Sequence, residues 1–207
     1  PQGAPLPDSL RQGAVKMFMR LGIKSVTMDD LARELGVSKK TLYKHVVDKR
    51  DLVEQCLQCK IQEHQAVLSA VAQSDGNAID RHFVLLRHIR QMMQETHPSV
   101  LFDLEKYYPE VFRMMMEARG QMIRETMGRN LQRGQEEGLY REDCDPFLVT
   151  QFLIAVTGAI FQPEVMSATN RSFSDLQVDA FLYHIRGISS DAGRQYLEQK
   201  FQSEDFS

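Results

Sequence analysis

Apolar residues along this chain recur at intervals of three and four, and no stretch shows the alternation that a half-buried strand requires. The sharpest short pattern is residues 27–36. Met28, Leu31, Ala32 and Leu35 fall on one helical face. Thr27 stands where an N-cap belongs, Asp29 and Asp30 suit the first turn, and Gly36 supplies a terminating glycine. Val37 is an apolar plug in the turn. Ser38 can cap a second helix over 39–47. Leu42 and Val46 of that helix point at the first, while Lys40, Thr41 and Lys44 face away with Tyr43 beside them. Asp48 can cap a third helix from Lys49. Two short helices around a glycine-containing turn are the helix-turn-helix pattern, whose second helix reads DNA.

The rest of the chain is organised around this stretch. Residues 1–7 hold three prolines and read as a flexible lead, and the absence of an initiator Met suggests a trimmed N-terminus. Leu10, Ala14, Met17, Phe18 and Leu21 form the inner stripe of a helix from Asp8. A long helix runs from Lys49 to about 71, with Leu52, Leu57, Ile61 and Leu68 inward. A turn at 74–77 leads to a helix through Ile79, Phe83, Leu86, Ile89 and Met93. A short helix lies between Pro98 and Pro109. A long Met-rich helix follows from 110 to about 135, closed by Gly134 and Gly138. Asp145 caps an uncharged helix over 147–161. After a break at Pro163 and a polar loop, two last helices run through Phe181 and Ile185, then Tyr196 and Phe201. The expected fold class is all-α.

The net charge of −3 would not by itself suggest nucleic acid, but its distribution does. Residues 1–50 hold ten Lys or Arg against five acids, a net of +5, which leaves −8 for the remainder. Within 38–50, five basic residues oppose Asp48 alone, a net of +4. Uncharged residues 146–163 contain Thr150, Gln151, Thr157 and Gly158, which argues against a membrane span. Cys56 and Cys59 make a C-x-x-C inside a helical pattern without a second pair, so two ordinary thiols are expected rather than a metal or redox site. Three cysteines in all fit a reduced, cytoplasmic setting. No nucleophile elbow, Walker loop, H-E-x-x-H or dinucleotide turn is present, so neither an enzyme nor a cofactor is expected.

Residues 10–53 resemble the DNA-binding domain of the tetracycline-repressor (TetR-type) family. The carrying residues are Phe18, Gly22, Thr27, Leu31, Ala32, Leu35, Gly36, Val37, Ser38, Thr41, Leu42, Tyr43, His45, Lys49 and Leu52. The resemblance implies a DNA-binding domain over 1–48 and a helical ligand-binding and dimerisation domain over 49–207. It implies DNA contact by Lys39, Lys40, Thr41, Tyr43, His45 and Lys49; Thr27 and Lys44 complete the expected set. One departure stands out: Asp29 occupies a position that is a base-reading arginine in the tetracycline repressor, so the operator should differ.

The expected function is a ligand-responsive regulator, a repressor binding an inverted-repeat operator on double-stranded DNA as a homodimer. The alternative is a helical ligand-binding or interaction module in which DNA binding is not the main activity. Residues 147–161 are apolar on every side and need cover on every side. With the helix of Phe181, they suggest a dimer interface of Phe152, Val156, Ile160, Phe181, Ile185 and Ile188, or else an internal core. For a largely apolar effector, the candidate contacts are His82, Leu86, Ile89, Met93, Tyr107, Met115, Arg119 and Met122. Methionines provide adaptable walls.

Overall fold

The computed structural model describes residues 5–203. These form helices and connecting turns: α1 (Asp8–Leu21), α2 (Met28–Glu34), α3 (Lys39–Leu42), α4 (Lys49–Gln73), α5 (Ala78–Gln94), α6 (Ser99–Tyr107), α7 (Pro109–Glu136), α8 (Pro146–Ala159), α9 (Pro163–Ser167), α10 (Phe173–Ile188) and α11 (Asp191–Ser203). The only β pairing among the described residues is an isolated bridge between Tyr140 and Ser189. No described helix is long and apolar enough to cross a membrane.

The chain divides into two compact units, Pro1–Ala66 with Gln94–Ala118, and Val67–Met93 with Arg119–Ser207. The first is built on a core that joins Phe18 of α1, Leu31 of α2, Leu42 of α3, Leu52 of α4, Leu104 of α6 and Val111 of α7. Residues 1–4 of the expected flexible lead lie outside the described residues. Of the rest, Leu6 is buried in that core, because an apolar side chain beside α1 gains more by burial than by exposure. Cys56 is buried there too, its thiol 3.9 Å from the Arg11 carbonyl, and burial with Cys59 nearby pushes it up to about 12. Backbone and side-chain bonds hold α6 and the turn before it to the end of α1 and the loop that follows. The His97 amide donates to the Met19 carbonyl at 2.6 Å, and the Lys24 amide to buried Asp103 at 2.8 Å.

The second unit packs Ile79 and Phe83 of α5, Leu131 of α7, Tyr140, Ile185 of α10 and Leu197 of α11 together. Tyr140 lies so close to α7 that a Cβ on Gly134 would sit 2.0 Å from its ring, so only glycine fits there. The Tyr140 hydroxyl donates to Asn130, whose amide donates to the Ala78 carbonyl. Asp80 accepts from Tyr196 at 2.9 Å and pairs with Lys200. The α8 and α10 helices pack on one another, and Gln177 reaches the Thr157 carbonyl. The stretch after Pro163, expected as a loop, forms short α9, and α10 starts at Phe173 behind a Ser172–Asp175 capping box.

Candidate nucleic-acid interface

The geometry of α2 and α3 follows from local bonds. The Thr27 hydroxyl accepts from the Asp30 amide at 3.1 Å, and the Asp30 carboxylate accepts from the Thr27 amide at 3.0 Å, a complete capping box. The Thr27 hydroxyl, which also donates to the Asp30 carboxylate, and the Thr27 amide hold the Asp30 carboxyl below its ordinary value. Gly36 takes φ +66°, the left-handed conformation that ends the helix, and Val37 closes the turn through its amide on the Ala32 carbonyl. Ser38 then caps α3 by accepting from the Thr41 amide at 3.0 Å.

The reading helix was expected over 39–47; regular helix covers Lys39–Leu42. Beyond it the Lys44 amide donates to Thr41 and the His45 amide to Leu42, three residues back, so the chain tightens before it turns into α4. Leu42 and Val46 are buried as anticipated and fix which side faces out. Asp48 caps α4 through the Asp51 amide at 2.8 Å, and Asp51 in return accepts from the Val47 amide.

The expected DNA-facing residues divide by what their polar atoms already do. Lys40, Tyr43 and Lys44 are exposed. Lys39 is exposed but paired with Asp29 at 3.0 Å, and this hydrogen bond raises its pKa. Thr27 and Thr41 spend their hydroxyls locally, Thr41 on Ser38 at 2.8 Å. Lys49 is half-buried, and its ammonium donates to the carbonyls of Ile23 at 2.6 Å and Lys24 at 3.4 Å. Burial lowers its pKa against the pull of Asp103 and Asp30. The Lys49 side chain therefore braces α4 against the loop after α1, a role that its position in the sequence did not disclose. Arg50 pairs with Glu110.

The model for bacterial regulatory proteins of the tetR family matches residues 10–56. The HTH-type transcriptional repressor KstR2 of Mycobacterium tuberculosis is 25% identical over 147 residues, covering 68% of this chain and 72% of that protein. Over residues 10–56 the chain is thus similar to regulators of the tetR family. Its fold resembles that of the ketosteroid transcriptional regulator KstR2 of Mycobacterium tuberculosis, with TM-score 0.57 and 19% identity, over 92% of this chain and 100% of the other. A transcriptional regulator from Cytophaga hutchinsonii superposes with TM-score 0.71 and 14% identity, over 87% and 97%.

The eight candidate effector residues do not share one unit. His82, Leu86, Ile89, Met93, Arg119 and Met122 belong to the second unit. Tyr107 and Met115 belong to the first. Tyr107 accepts from Lys24 at 2.6 Å, and Met115 packs on the first unit's core. The six candidate interface residues also separate. Phe152 and Val156 are exposed on α8, whereas Ile160, Phe181, Ile185 and Ile188 are buried within the single chain. On α10 the stripe through Phe181, Ile185 and Ile188 is the one that packs inward. The open apolar side of the two helices is instead Phe147, Leu148, Phe152 and Val156, with Tyr183 of α10 at 79% exposure.

Proposed function

We propose that this chain is a ligand-responsive transcriptional repressor that binds an inverted-repeat operator as a homodimer in the cytoplasm. The observation that carries this reading is the outward face of the helix-turn-helix: Lys40, Tyr43 and Lys44 stand exposed beside Lys39, on a scaffold whose caps and turn are complete. Cations and hydroxyls on one face suit phosphate and base edges. Residues 1–48 supply this head, and residues 49–207 supply effector binding and assembly. Thr27, Thr41 and His45 shape the face, and Lys49 holds it to α4. Relatives named as transcriptional repressors or regulators favour this role over an enzyme or a bare interaction module.

One head reads too few bases for useful specificity, so a second copy is needed. The exposed side of α8, with Tyr183, is the surface we assign to that contact; an apolar patch of this kind is costly to leave in water. In a two-fold dimer the reading helices must match half-sites about 34–36 Å apart or a multiple. The α4 helix begins in the unit with the head and ends in the other. An effector that binds a mismatched spacing more tightly therefore releases DNA, and about 1.4 kcal/mol of coupling gives a tenfold loss.

Selection of bound sites from random duplexes tests the reading. An inverted repeat should emerge, with affinity falling steeply as salt rises. Equal affinity for the selected site and for random duplex would overturn it.

A further inference from the structure

His82 of α5 is 1% exposed, and neither Nδ1 nor Nε2 has a hydrogen-bond partner among the described residues. His184 of α10 stacks on it, ring centroids 5.8 Å apart and planes 16° apart. Phe181 of the same helix meets it edge-on at 5.5 Å. All three lie in the second unit. Burial pulls His82 down to about 3, helped by His184, and pulls His184 down to about 4. The Phe181 backbone opposes the shift of His82 weakly, but not in hydrogen-bonding geometry. Both rings are neutral at ordinary pH, each with one N–H donor and one lone pair.

A buried polar group without a partner is costly, and an apolar ring would fill the same place without that cost. The orphaned His82 ring, with the half-buried His184 ring stacked on it, points to a guest that answers it. Neutral rings favour a neutral guest: a carboxylate would enter without a countercharge, and an ammonium would exchange its hydration for a weak acceptor. A ketone oxygen accepts from an imidazole N–H, and a hydroxyl both accepts and donates. Leu85 and Leu86, three and four residues on along the same helix, are buried on its side of α5.

We propose that His82 and His184 are the polar anchor of the effector site, and that the effector is a neutral, largely apolar molecule with a ketone or hydroxyl oxygen. This rests on the reading that the second unit holds an effector. An acidic effector would need a cation instead. Arg119 is the candidate, its guanidinium 5.3 Å over the Phe161 ring and lowered to about 10 by burial alone.

The test is thermal unfolding of the full chain with cyclododecanone, cyclododecanol, cyclododecane or dodecanoate. The ketone and alcohol should raise the midpoint by about 3–6 °C at tenfold excess over Kd, and the hydrocarbon by less. His82→Phe should remove the advantage of the oxygenated compounds over the hydrocarbon. His82→Gln, which keeps a donor and an acceptor, should retain part of it. Equal shifts for ketone and hydrocarbon, a shift with dodecanoate alone, no shift with any compound, or an unchanged preference in His82→Phe would each overturn the assignment. Operator binding that persists with the ketone bound would instead sink the reading that the second unit signals to DNA, and would leave the site standing.

Discussion

In the unit that carries the reading helices, polar groups at the turns are answered close by: Thr27 by Asp30, Ser38 by Thr41, Asp48 by Asp51, and Lys49 by the carbonyl of Ile23. The second unit has such networks around Asp80 and Asn130, but it also holds His82 with neither nitrogen bonded among the described residues. Satisfied networks fix one shape, whereas an unanswered buried group leaves free energy for a newcomer to recover. On the function proposed above, the first unit offers a surface made ready for a rigid duplex, and His82 marks an interior that an effector would complete.

The comparison breaks most visibly at assembly. Phe152→Glu puts a charge on the exposed side of α8, so the single chain should still fold while the dimer fails. Operator affinity should then drop by about 10²–10⁴-fold, since the second half-site contact is no longer linked to the first. Sedimentation and gel shift together check this; an intact dimer with full affinity would remove α8 from the interface. Phe181→Glu should behave differently and unfold the chain, because Phe181 is 3% exposed within it.

Acid should act through the second unit before the first. His82 and His184 have folded pKa values below the ordinary histidine value, so the unfolded chain binds more protons. Their contribution is fully present above about pH 6.5 and is lost as pH falls toward about 4 and then 3. The expected slope is about 1.4 kcal/mol per pH unit for each ring in that window. Denaturant unfolding from pH 7 to 4.5 should show it, and the His82→Phe, His184→Phe double variant should flatten it. An unchanged slope would mean that the rings are not buried as neutral groups.

The head offers a finer division. Lys40→Ala should cost about 1–3 kcal/mol at one base position and relax preference there. Lys44→Ala should weaken all sequences alike and reduce the salt slope by about one unit. Footprinting of selected and altered sites would expose the opposite pattern. The smallest effect is expected at the cap: Thr27→Ala should destabilise by about 1 kcal/mol, read as a lower unfolding midpoint. No change at all would show that the Asp30 carboxylate alone suffices.

What could be read in the sequence was local. The partners of Thr27 and Ser38 lie three residues on, and the inward residues Leu31, Leu42 and Val46 follow from helical spacing. The reading helix came out shorter than expected because its last turn tightens toward Asp48, and spacing does not reveal that. Along α8 apolar residues surround the axis, so no periodicity marks which side stays open. Nothing local to Tyr107 signals Lys24, which approaches from far along the chain. The stacking of His82 on His184 is of the same kind: two ordinary histidines in the sequence, one stacked pair in the fold.

The Cys56 thiol provides the protein with an internal reporter. A thiol held at about 12 beneath a core is inert to alkylating reagents while the structure is closed, since the thiolate is the reactive form. It becomes ordinary when the first unit opens. Labelling speed at Cys56 is therefore a clock for opening of that unit, readable by mass spectrometry without any engineered label. Bound operator should slow that clock by the factor with which DNA favours the closed form.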